Sequence, residues 1–124
     1  IHRLVAAGWR CIAADHIGFG RSDKVTDDGW YSIARHVAAH RLLIETLDLR
    51  EVTLFCQDWG GPIGLAQAAE QPERFSRLVV MNSFLWPLDA DKDLAKNAQL
   101  AASELGRMLY RHLNAPLRLV MRKF

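Results

Sequence analysis

The sequence predicts an α/β fold with a mostly parallel sheet and flanking helices, and three observations predict it. Residues 9–14, 52–57 and 78–82 are short, nearly continuous apolar runs of the kind that form strands buried on both faces. Helical periodicity fills the gaps between two of them, over residues 31–49 and from Pro62 to about Ala69. Glycine, proline or aspartate breaks fence every segment, so strand, helix, strand, helix, strand repeats in the rhythm of a parallel sheet.

Taken in order, residues 1–7 read as the end of a helix closed by Gly8. The first strand run, residues 9–14, is interrupted only by Arg10. Asp15-His16-Ile17-Gly18-Phe19-Gly20-Arg21-Ser22-Asp23 follows, a glycine-rich loop with neither period. The helix over 31–49 takes Ser32 as its N-cap and Ile33, Val37, Leu42 or Leu43, Thr46 and Leu47 as its apolar stripe. The second strand is 52–57. Pro62 suits the first turn of the next helix, where its missing N–H costs nothing, and Gln71-Pro72-Glu73-Arg74 ends that helix. The third strand is 78–82.

Beyond Phe84 the texture changes. Pro87 and the acidic Asp89-Ala90-Asp91-Lys92-Asp93 break the strand rhythm, residues 94–113 are helix formers, and Pro116 interrupts before a last short piece. This divides the chain into a core region, residues 1–86, and the beginning of a helical cap, residues 87–124. There is no internal repeat and no low-complexity stretch.

Half of the 124 residues are apolar, enough for a core, and a net charge of +2 gives no footprint for nucleic acid. The tail 107–124 carries four Arg and one Lys with no acid, and reads as the solvated face of a helix in preference to a membrane-surface helix. No run is long enough to cross a bilayer. Cys11 and Cys56 both sit in strand-like apolar runs, which predicts buried thiols in a reducing, cytoplasmic compartment. Their spacing matches no metal site, and His36 and His40, one helical turn apart, have no evident third ligand.

The segment that carries chemistry is Gln57-Asp58-Trp59-Gly60-Gly61-Pro62-Ile63-Gly64. A buried strand, a sharp turn with a reactive side chain at its tip and a helix opening in glycines make a nucleophile elbow, here with Asp where serine hydrolases place Ser. The strained turn brings strand and helix backbones close, so small residues must flank it. Gly60 fills the position two after Asp58, Gly61 and Gly64 continue the close packing, and Cys56 replaces the usual glycine two before. A carboxylate there faces helix N–H groups that favour its ionised form, and a carboxylate nucleophile forms an ester with a saturated carbon. The plainer use of Asp58 is as a helix N-cap, and of Trp59 as a packing aromatic.

Together with Asp15-His16-Ile17-Gly18-Phe19-Gly20-Arg21-Ser22-Asp23-Lys24, this segment resembles the haloalkane dehalogenases of the α/β-hydrolase superfamily, over residues 1–87. The fold this implies is a partial α/β-hydrolase fold. The resemblance implies that Asp58 attacks the halogen-bearing carbon and that Trp59 donates its indole N–H to the departing halide, while the Trp59 backbone N–H helps hold the oxyanion of ester hydrolysis. It implies no cofactor and no metal; the partners are a small apolar halogenated or epoxide substrate and water, with neither nucleic acid nor membrane. Phe84 and Trp86 are candidates for the pocket wall or for core packing.

The same resemblance places the histidine that activates water near the end of the enzyme, beyond a cap. None of His2, His16, His36, His40 and His112 matches it. Asn82 stands where some dehalogenases carry the orienting Glu, which moves the acid downstream, and the His-Gly-Asn-Pro-type loop of the family is expected before Ile1. These residues therefore read as an internal fragment, with strands 9–14 and 52–57 lacking a shared neighbour and unpaired at their edges. Epoxide hydrolases share an Asp-Trp-Gly elbow and stay open as an alternative, although Tyr110 is the one tyrosine in the cap region to protonate an opening oxygen. A non-catalytic binding protein of the same fold is the alternative from another class.

Overall fold

The computed structural model describes residues 1–85, 91–114 and 118, and the chain divides into two compact units, Ile1–Leu85 and Trp86–Phe124. In the first unit α1 (His2–Ala6) precedes an irregular stretch and a short 3-10 turn, Asp28–Trp30; then come α2 (Ile33–Thr46), β1 (Val52–Asp58), α3 (Gly60–Glu70) and β2 (Phe75–Ser83). The second unit contains α4 (Lys92–Ala102) and α5 (Glu104–Arg111). The predicted Pro116 break and Trp86 lie outside the described residues, as does half of the basic tail.

β1 and β2 pair in parallel, Leu54 beside Leu78 and Cys56 beside Val80, with α3 as the crossover between them. α3 packs against β1 through Gly64, where an added Cβ would stand 3.1 Å from Leu54 Cδ2. α2 lies on α3. The core of this unit is small: Ile44, Cys56 and Ile63 are buried, and so is the amide of Gln67, whose Nε2 donates to the Val37 carbonyl of α2 at 2.7 Å. An Arg41–Glu70 ion pair, half exposed, bridges the same two helices. Below them Arg74 donates to Asp48 and to the Leu49 carbonyl, both at 3.0 Å, and fixes the turn that leads into β1.

Ser32 caps α2 as the sequence predicts, accepting from the Arg35 N–H at 3.3 Å. Several features differ from the sequence expectation: the two strands, read as buried on both faces, leave Phe55, Leu78, Val80 and Met81 exposed, and Cys11 is only partly buried. Residues 9–14 form no strand; Trp9 and Ile12 are exposed, and among the described residues the sheet has two strands. An apolar run becomes a strand only where a neighbour supplies the other half of the ladder, and none lies beside this one. The buried side of α2 runs through His36, Val37, His40, Leu43 and Ile44, while Ile33, Leu42 and Leu47 face outward. The helix expected over 94–113 is broken at Ser103, whose hydroxyl donates to the Leu100 carbonyl at 2.6 Å and accepts from the Gly106 N–H at 3.0 Å. That one side chain ends α4 and caps α5. Gly106 permits the tight corner, since a Cβ there would lie 2.8 Å from Ala101 Cα.

Candidate active site

Asp58 is the last residue of β1, and its backbone is left-handed, with φ +49°. L-residues avoid that region, and Asp and Asn tolerate it better than most. The β1–β2 register shifts between Gln57 and Asp58, so that Asp58 pairs with Ser83 and Asn82 is passed over; Asn82 is itself left-handed, at φ +39°. Both strands thus end in a matching twist. Ser83 fastens it by donating its hydroxyl to the Asp58 carbonyl at 2.7 Å.

The close approach falls at Gly61. A Cβ at that position would overlap Ser83 Oγ and lie 2.8 Å from Ser83 Cβ, whereas at Gly60 it would meet only Cys56 Cβ at 3.9 Å, an ordinary contact. Of the three glycines expected to pack closely, Gly61 and Gly64 do so and Gly60 does not. Trp59 occupies the N-cap position of α3 and no side chain caps that helix. The Asp58 carboxylate is exposed and engages no hydrogen bond or ion pair among the described residues, so it does not serve as a helix cap.

Trp59 is half exposed and meets the Phe84 ring edge to face, centroids 5.2 Å apart at 81°. It also lines a cleft of about 420 Å³ together with His16, Phe19, Tyr31, His36 and Ile63; Asp58 is not part of that lining. The glycine-rich loop forms one wall. Asp15 accepts from the Arg21 N–H at 2.9 Å, and Lys24 Nζ donates to the Gly20 and Ser22 carbonyls at 2.6 and 2.7 Å. Gly18 has φ +94°, and any Cβ there would press on the Tyr31 ring.

A grouping absent from the sequence reading lies beside this cleft. His16 Nδ1 and His40 Nε2 are 2.7 Å apart in a hydrogen bond, and the His36 ring stands 5.5 Å from that of His16. Burial, then the neighbouring His36, holds the His16 imidazole below its ordinary value; burial, then His16 and His36, does the same to His40. The spacing of His36 and His40 pointed at this face, but only the fold brings in the third ring. Even so, no group of three or more such side chains is arranged to hold a metal ion among the described residues. Nor is any described helix long and apolar enough to cross a membrane.

The chain belongs to the α/β-hydrolase fold family, whose model matches residues 1–121. It is homologous to haloalkane dehalogenases: that of Psychrobacter cryohalolentis is 50% identical over 88 residues, covering 71% of this chain and 29% of the relative. A cis-3-alkyl-4-alkyloxetan-2-one decarboxylase of Shewanella oneidensis is 38% identical over 109 residues, covering 86% of this chain and 34% of the relative. A crystal structure of a variant of the haloalkane dehalogenase DatA from Agrobacterium tumefaciens C58 matches with a TM-score of 0.75 at 27% identity, over 89% of this chain and 39% of that one. The chain thus spans about a third of the length of the curated relatives it matches.

Proposed function

We propose that the protein acts in hydrolytic dehalogenation of haloalkanes, with Asp58 as nucleophile and Trp59 as halide donor. One observation carries the reading: a carboxylate that engages no partner among the described residues, held at φ +49° at the tip of a strand-turn-helix, next to an indole that lines an apolar-walled cleft. A carboxylate oxygen attacks the halogen-bearing carbon, the carbon–halogen bond breaks, and an alkyl ester and a halide ion result. Indole offers a donor with no acceptor of its own, which suits a weakly hydrated anion. Hydrolysis of the ester returns the carboxylate and releases alcohol and a proton. That second half needs a base to activate water, and we assign none of the five histidines to it.

The reading therefore predicts alkylation that outlasts the halide release. Incubation with a bromoalkane should add one alkyl group per chain by intact mass, release one equivalent of bromide, and map to Asp58 after proteolysis. Asp58→Asn should show neither. Absence of both adduct and halide in the parent chain would overturn the nucleophile assignment. Steady turnover without an adduct would instead place a working base among these histidines.

A second reading follows from the match to the decarboxylase, which covers 86% of this chain. The same carboxylate can attack the ring C–O carbon of an oxetan-2-one and open it to a β-carboxylate ester. Elimination then releases alkene and carbon dioxide and frees Asp58 without activated water. Alkene and carbon dioxide from a dialkyl oxetanone, with no halide from bromoalkanes, would select this reading; diol from an epoxide would select an epoxide hydrolase.

A further inference from the structure

The geometry points to His16 and His40 as a proton-sensitive clasp that fastens the loop 15–24 to α2 and so shapes the cleft beside Trp59. The bond joins residues 24 positions apart, one on the loop and one on the helix, at 2.7 Å. An imidazole pair can share such a bond only while at least one ring presents a bare nitrogen as acceptor. With both rings protonated, two N–H donors and two positive charges face each other at that distance, and the clasp has no bonding arrangement left.

The surroundings do not relieve that charge. His36 is the third ring of the cluster, and its Nδ1 is buried without a hydrogen-bond partner among the described residues. Of the ionisable groups in the two cavities around the cluster, Asp15 is the one acid; it lines a small cavity with His36 and His40, but already accepts from Arg21. Trp30 and Tyr31, from the turn before α2, present ring faces and edges to His36. Of the nearby cations on α2, Arg35 lies 5.8 Å from the Trp30 ring centroid and Arg41 pairs with Glu70 of α3. From α3 itself the cleft receives Ile63, which carries no charge.

The sign follows from the two depressed imidazoles. A histidine with a lower value in the folded chain binds fewer protons there than when unfolded, so stability is full above the ordinary value of about pH 6.5 and declines as pH falls through and below it. Lys24 ties the loop to its own carbonyls and Gly18 N–H donates to Asp23 O at 2.8 Å, bonds that open more readily once the clasp no longer holds His16 against α2.

Hydrogen exchange followed by mass spectrometry on the full chain tests this, with rates corrected for intrinsic pH dependence. Protection of the peptide covering 15–24, relative to the β1 peptide, should fall about tenfold between about pH 7.5 and pH 5, the range over which imidazoles take up protons. In His40→Gln, which keeps a hydrogen-bonding amide but cannot be protonated, the fall should shrink to about twofold or less. Equal losses in parent and variant, or no loss in the parent, overturn the clasp. Should the variant fail to fold, proton NMR of the parent decides. Loop amide shifts that follow the imidazole titrations of His16 and His40 support the clasp, and loop amides that ignore them overturn it.

Discussion

Asp15 and Asp58 each end an apolar run, and each is followed by a turn rich in glycine, yet their carboxylates have opposite fates. Asp15 accepts the Arg21 N–H, its carbonyl accepts from Ser22 Oγ at 2.6 Å, and a Cβ at Gly20 would collide with its carboxyl group. Among the described residues Asp58 has its backbone carbonyl engaged, by Ser83, and its carboxylate stays open. A hydrogen-bonded carboxylate is scaffold, because moving it leaves polar groups unmatched. An unengaged one on a rigid, twisted backbone is available for chemistry, because its neighbours fix where it stands without occupying its oxygens. The difference lies in what the following turn offers: loop N–H groups curl back on Asp15, while the chain after Asp58 runs directly into a helix.

Substitutions can break this contrast. Asp58→Asn should abolish alkylation altogether while leaving stability within about 0.5 kcal/mol of the parent in urea unfolding, since Asn suits a left-handed backbone and no bond is lost. Loss of stability without loss of alkylation would reverse the roles of the two aspartates. Gly61→Ala should cost about 1–3 kcal/mol, because the new methyl must displace Ser83 and with it the anchor on Asp58. Asp15→Ala should cost about 1 kcal/mol and raise exchange in the loop, with bromide release from Asp58 changing by about twofold at most. The smallest effect concerns the two thiols that precede these aspartates. Cys56 is buried, and that burial pushes its thiol up, whereas Cys11 is partly exposed. Iodoacetamide at mildly alkaline pH should label Cys11 first, and labelling of Cys56 should wait for unfolding.

The elbow region was legible because its signals are local. The largely apolar run Val52-Thr53-Leu54-Phe55-Cys56 before Gln57 and Asp58, the glycines after it and Pro62 in the first turn depend on neighbours in sequence, and the structure places β1 and α3 around them. The Ser32 cap was legible for the same reason. The role of Gly61 over Gly60 was not, since it depends on where Ser83 arrives from the other strand. Residues 9–14 carry the texture of a strand, but pairing is a property of two segments and cannot be read from one. His16 gave no hint of His40, because a loop has no period to project. Ser103 is one polar residue within a stretch of helix formers, and only its two hydrogen bonds make it a corner.

Gln67 has a consequence for how uniquely this small unit packs. A core of a few buried aliphatic side chains tolerates sliding, because one apolar surface accepts another at many offsets. The Gln67 amide reads a single carbonyl, that of Val37, and a slip of α2 by one turn, about 5.4 Å, leaves it unmatched in a dry interior. Its Oε1 is already buried without a partner among the described residues, so the device has a standing energetic cost. Gln67→Leu would then remove that cost and with it the penalty on wrong offsets, trading one arrangement of the two helices for several of nearly equal energy. In this unit selectivity among packings is concentrated in one amide.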